Sequence, residues 1–260
     1  MSYTTIILKA GALLPDTIEL FLNWDEAASI SNNLVRLRNS NVFGKATRDR
    51  VKVILRIFRN RYLLNEDQSG ALSILAKSGI DITILRPILY FFSIYADDLL
   101  RDTVLLFVAQ LRTAGQIYVD TNDLKQELMR WIAEGRIKDD WSENTLTKVS
   151  RGLLSTLRDF GVLQGGVNKK IAPVYLPVEA FAYLAFFLKT VDTSGELLIK
   201  NPLWGIFFLT PADVERLFVQ ADQLQLLTYQ AAGSVIRVDF PVENIKEYAH
   251  VVVGAANRTT

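Results

Sequence analysis

The chain has no cysteine, one histidine and two methionines in 260 residues. Without thiols it has no disulfides, no thiolate nucleophile and no thiolate metal site, which fits a reducing compartment. A single histidine, His250 near the C-terminus, removes most imidazole-based catalysis and zinc chemistry. No serine or carboxylate is spaced to partner it. Long apolar runs are also missing: the stretches 87–96 and 103–111 are separated by Asp97, Asp98, Arg101 and Asp102. The longest run without charge, 223–236, is below the roughly 20 apolar residues that a membrane helix needs. The first eight residues lack a basic start, an apolar stretch and a cleavage site, so no targeting peptide is expected and a cytoplasmic location is the default.

The nucleotide motifs are absent too. There is no GxxxxGK[ST] loop and no GxGxxG fingerprint, and Gly161, Gly165 and Gly166 read as a helix stop and a hairpin turn. Asp120, Asp123 and Lys125 are the nearest approach to a carboxylate–lysine nuclease cluster, but they read first as helix-capping acids and their neighbour. No cofactor is expected, and no enzyme.

What is present is an uneven distribution of charge. The chain holds 29 basic and 28 acidic residues. Nine of the basic ones fall within residues 36–61, where Asp49 is the one acid, giving that segment about +8 and the remainder about −7. Such a block either meets phosphate or complements an acidic surface. Thr47 is placed to cap a helix over 47–64. On a helical wheel Val51, Ile54, Leu55, Phe58 and Tyr62 fall within about 100°, a core-facing stripe. Arg48, Lys52, Arg56 and Arg59 fill the adjoining sector of about 80°. Four cations one turn apart repel each other, so the arrangement calls for a compensating partner.

Half of the residues are apolar, enough for a real core, and the length suggests two or three modules. The expected fold class is mainly α: an N-terminal all-helical module over 1–115, a winged helix-turn-helix-like α+β module over 116–190, and a helix-plus-hairpin module over 191–260. In the first, helices are expected from residue 18 to 24, over 27–37, 47–64, 71–77, 82–96 and 99–114, with Gly79 and Gly115 as stops.

The second begins with a short strand at 117–119, a helix after Asp120 and Thr121, and a helix capped by Ser142 and ended by Gly161. Strands follow at 162–163 and 171–176. In a winged unit the second helix enters a major groove and the hairpin lies along the backbone. Asn144, Thr145, Lys148 and Arg151 are the candidates on that helix, with Lys169 and Lys170 on the wing. The same fold serves equally as a protein-docking module. The third module is expected to have a helix over 212–220, opened by Thr210 and Pro211, and a hairpin over 224–229 and 234–240. Asp213 and Glu215 make its helix acidic, which favours docking over phosphate contact.

The run WSENTLTKVSRGLLSTLRDFGVLQ from Trp141, together with AGALLPDTIELF and TRDRVKVILRIFRNRYL, resembles the BrxA family of bacterial BREX phage-resistance systems. The likeness spans about residues 8–188. It implies a mostly helical, cytoplasmic, non-enzymatic accessory protein that binds double-stranded DNA and works beside the BREX methyltransferase, phosphatase and ATPase components. It brings no active-site residues with it. The alternative expectation is a scaffold whose basic helix meets an acidic partner, without DNA.

Overall fold

The computed structural model describes residues 3–40, 42, 44, 47–173, 175–190, 194–233 and 235–259. Parts of the expected loops at 39–44 and 192–195, and the first residue of the expected strand 234–240, lie outside the described residues. In chain order the elements are α1 (Ile7–Ala10), α2 (Leu14–Leu22), α3 (Ile30–Ser40), α4 (Arg48–Tyr62), α5 (Glu66–Lys77) and α6 (Ile82–Tyr95). Next come α7 (Asp98–Asp102), a π-helical turn (Thr103–Val108), α8 (Ala109–Thr113), β1 (Tyr118–Val119), α9 (Thr121–Ala133) and α10 (Glu143–Asp159). Then follow β2 (Leu163–Gln164), β3 (Lys169–Ile171), α11 (Val178–Lys189), α12 (Gly195–Ile199), a 3-10 helix (Pro202–Phe207), α13 (Pro211–Gln223), β4 (Thr228–Ala232), β5 (Val235–Asp239) and α14 (Ile245–Thr259). The fold is mainly helical with short antiparallel strand pairs, as the apolar periodicities predict. Among the described residues no helix is long and apolar enough to cross a membrane.

The chain forms two compact units, each made of two stretches: Met1–Leu14 with Phe92–Val174, and Pro15–Phe91 with Tyr175–Thr260. The residues expected as one helical module over 1–115 are thus distributed over both.

In the first unit α9 and α10 pack through Leu124, Leu128 and Trp131 on one side and Leu146, Val149, Leu153, Leu154 and Leu157 on the other, all buried. Both helices start on side-chain caps that satisfy amides with no partner inside the helix. The Asp120 carboxylate accepts from Asn122 N and Asp123 N, and Asp123 accepts in return from Asp120 N at 2.9 Å. This reciprocal box occupies the two carboxylates weighed as nuclease candidates. Helix α1 lies on α10 at Gly152, where a Cβ would stand 3.6 Å from the Ile7 carbonyl oxygen. The Tyr3 hydroxyl donates to Asp102 at 2.5 Å; burial, then that carboxylate, pushes its pKa up. The strands order β1-β3-β2, all antiparallel, with Tyr118 and Gln164 both opposite Lys170. Strand β3 begins at Lys169, not at 171, because the turn through Gly165 is tight. Gly165 has φ +97, and a Cβ there would meet the Asn168 carbonyl oxygen at 2.8 Å.

The second unit is built around α5 and α11, whose residues are buried on nearly every side. Several buried polar groups inside it are paired, as most buried ones are, while Gln68 Oε1 is buried without a hydrogen-bond partner among the described residues. Tyr183 accepts from Gln68 Nε2 at 3.3 Å, Tyr90 donates to Ile206 O at 3.1 Å, and Tyr248 donates to Leu226 O at 2.9 Å. Helix α2 runs Leu14–Leu22 and α3 runs Ile30–Ser40, each shifted by a few residues from expectation, and two further boundaries move for a visible reason. Helix α5 begins at Glu66 because the Asn65 side chain accepts from Gln68 N at 2.8 Å. The hairpin starts at Thr228 because Gln225, with φ 57, and the bond from Leu226 N to Ala221 O close α13 first. Helix α14 was not expected; it packs against α5 and α11 through Tyr248, Ala249, Val252, Ala255 and Ala256. His250 is an exposed residue on that helix.

Candidate nucleic-acid interface

Helix α4 starts where Thr47, in extended backbone, accepts from Arg50 N at 3.3 Å. Its inner face is an aromatic and aliphatic cluster. Phe58 lies 4.8 Å from Phe21, 5.9 Å from Trp24 and 5.8 Å from Tyr62, centroid to centroid, and Val51, Ile54 and Leu55 are buried beside it. Ile57 and Arg61 are buried too, so the packed face is wider than the expected stripe. That packing fixes the rotation of the helix and therefore the direction of its cations.

Arg48, Lys52, Arg56 and Arg59 are all exposed. Lys52 reaches Asp49 at 3.3 Å, an ion pair with side chains 65% and 91% exposed and so of little energetic worth. Among the described residues the side chains of the other three have no ion-pair or hydrogen-bond partner. The row runs about 16 Å along the helix, eleven residues at 1.5 Å each.

Helix α3 adds a residue that sequence reasoning did not single out. Its exposed Arg38 lines one groove with Lys52, Arg56 and Arg59, a concavity of about 250 Å³ whose remaining lining is Leu34, Val35 and Leu55. Among the described residues no carboxylate lines it. Arg36, two residues earlier and so on another face of the helix, is committed elsewhere: it donates to Asn23 O at 2.6 Å and to Asn33 Oδ1 at 2.8 Å. Which arginine of that pair faces α4 depends on how α3 packs, and the charge pattern alone does not separate them.

The first unit carries the other candidates. Ser142 caps α10, accepting from Thr145 N at 3.3 Å and sharing a 3.0 Å contact with the Thr145 hydroxyl. Thr145 is therefore half-buried and already engaged. Asn144, Lys148 and Arg151, at i, i+4 and i+7, are exposed along one face. The two wing lysines part company. Lys170 is exposed on β3, whereas Lys169 is 8% exposed and its Nζ donates to the Gly166 carbonyl at 2.8 Å. Burial, then the positive charge of Arg158, lowers the pKa of Lys169. Alternation along a strand turns successive side chains to opposite faces, which is why adjacent lysines differ so sharply.

Two surfaces thus carry free cations: the groove and row on α3 and α4 in one unit, and the face of α10 with Lys170 in the other. Cations exposed along a helix face in this way can position anions.

The BrxA family model matches residues 1–186 of the chain, a stretch that includes both surfaces. No curated protein matches the chain.

Proposed function

Because the chain belongs to the BrxA family, and so to the BREX phage-defence systems, we propose that it is a non-enzymatic, cytoplasmic accessory protein that binds double-stranded DNA. The observation that carries this reading is the row of Arg48, Lys52, Arg56 and Arg59, exposed along one side of α4 and joined by Arg38. A row of cations is rewarded by a regular polyanion, from which it releases counterions. Arginines and a lysine on a helix side meet phosphates and do not read base edges, so sequence preference is weak.

The first unit supplies a second contact. We read its order of helix, strand, two helices and two strands as a winged helix, with α10 facing the major groove through Asn144, Lys148 and Arg151, and Lys170 on the wing. Thr145 and Lys169, the other two candidates there, serve to shape the surface. The other BREX components (methyltransferase, phosphatase, ATPase) are the protein partners in this reading.

The test is duplex binding by the full chain at low and at physiological salt. The variant R48E/K52E/R56E/R59E is expected to lose binding while keeping the far-ultraviolet circular dichroism of the wild type. K148E/R151E/K170E is expected to weaken it to a smaller extent. Wild-type affinity in the first variant removes the row from the interface.

A second reading, a scaffold within a defence complex, is favoured by the hairpin β4–β5, which carries Val235 at 68% exposure beside the acidic α13. It predicts no salt-sensitive duplex binding and stable co-purification with another BREX subunit.

A further inference from the structure

The groove between α3 and α4 contains more than charge. Arg38 stands on one helix and Lys52, Arg56 and Arg59 on the other, and between them lie Leu34, Val35 and Leu55. Val35 is 50% exposed, a β-branched apolar side chain left in water within a ring of cations. An occupant suited to this lining presents anionic oxygens and, between them, a compact surface of C–H groups. The row on α4 continues beyond the groove to Arg48, so the anions must repeat along a line, which a nucleic acid backbone provides.

Among the described residues every polar side chain in the lining is a donor: three guanidinium groups and one ammonium. Asp49, the nearest acid on α4, is not part of the lining and is paired with Lys52. A hydroxyl brought onto this floor meets no side-chain acceptor among the described lining residues, and its water is displaced by Leu34, Val35 and Leu55. Leaving a hydroxyl unsatisfied in that way is costly. The C2′ of deoxyribose carries only hydrogens, whereas ribose places a hydroxyl there.

Resting on the reading that α4 meets nucleic acid, we propose that this groove seats the sugar-phosphate backbone of one DNA strand, and that its apolar floor makes the site select DNA over RNA. Arg38 is then a binding residue equal to those on α4. Phosphates sit on Arg38, Lys52, Arg56 and Arg59, and deoxyribose sits on Leu34, Val35 and Leu55. Selectivity arises from the sugar without any base being read, in keeping with weak sequence preference.

The experiment is a fluorescence anisotropy competition with the full chain at one fixed salt concentration. The competitors are duplexes of one sequence in three chemistries: DNA, RNA, and 2′-fluoro RNA, which keeps the A-form helix but has no hydroxyl hydrogen. The expected order is DNA tightest, RNA about tenfold weaker, the size of one unsatisfied hydroxyl, and 2′-fluoro RNA much closer to DNA than to RNA. Val35→Asn, at a half-exposed position, offers the hydroxyl an amide acceptor and is expected to narrow the DNA-to-RNA ratio. Arg38→Glu is expected to weaken DNA binding several-fold.

Equal affinity for DNA and RNA overturns the proposal. So does a 2′-fluoro duplex as weak as RNA, which would assign the selectivity to helix shape, and so does an unchanged ratio in Val35→Asn. If the wild type binds no duplex and an alternating glutamate–leucine peptide binds in a manner lost in Arg38→Glu, the groove is a site for an acidic protein. In that case the DNA reading itself fails, not only the selectivity.

Discussion

The Lys169 ammonium donates a 2.8 Å hydrogen bond to the Gly166 carbonyl, three residues back across the turn between β2 and β3. This bond ties the hairpin tip from beneath, leaving Val167 at 87% exposure and Lys170 to face solvent. Lys169→Met keeps the aliphatic stem and removes the tie. The expected cost is about 1 kcal/mol near neutral pH, with faster proteolytic cleavage at 165–168. The lowered pKa gives the sign of the pH effect. Between the folded value and the ordinary lysine value the unfolded chain binds the extra proton, so wild-type stability rises with pH through that window. Urea titrations of the methionine variant should lack this rise; an identical alkaline profile in both proteins would contradict the assignment.

The cap of α13 makes an acid-side prediction. Asp213 accepts from the Thr210 hydroxyl at 2.6 Å and from the Thr210 amide at 2.8 Å, and also pairs with Arg216. These bonds, the hydroxyl first, lower its pKa. Their contribution is present above the ordinary aspartate value and is lost as pH falls through the depressed one. Thr210→Ala is expected to cost about 1 kcal/mol at neutral pH, and Asp213→Asn to flatten the acid limb of the thermal stability curve. An unchanged limb would show that the box does not hold the helix start in solution.

Helix α14 is anchored by the buried Tyr248 hydroxyl on the Leu226 carbonyl at 2.9 Å. Tyr248→Phe leaves that carbonyl buried with one partner fewer and should destabilise the protein by about 1 to 2 kcal/mol. The ring stays stacked 4.5 Å from Phe186. Equilibrium denaturation measures the loss, and a change within experimental error would argue against a buried bond.

The sequence shows α4 clearly, because its apolar stripe, its cap and its cations all follow a single period. The core of α10 and its Ser142 cap are legible for the same reason. Helix α14 was not, since its buried face uses Ala249, Ala255 and Ala256, whose small side chains give little periodic contrast. Lys169 and Lys170 look alike as letters, and only the register of β3 sends one inward. Arg38 belongs to the groove because α3 approaches α4 in space, a tertiary fact that no local pattern encodes.

The central claim is that the α4 row neutralises DNA phosphates, and the salt dependence of duplex affinity tests it most directly. Each phosphate contact contributes about 0.9 to the slope of log affinity against log salt. Removing Arg56 and Arg59 together, as the double glutamine variant, is expected to make the slope shallower by about 2 and to weaken binding alike on unrelated sequences. A slope equal to that of the wild type would contradict the account.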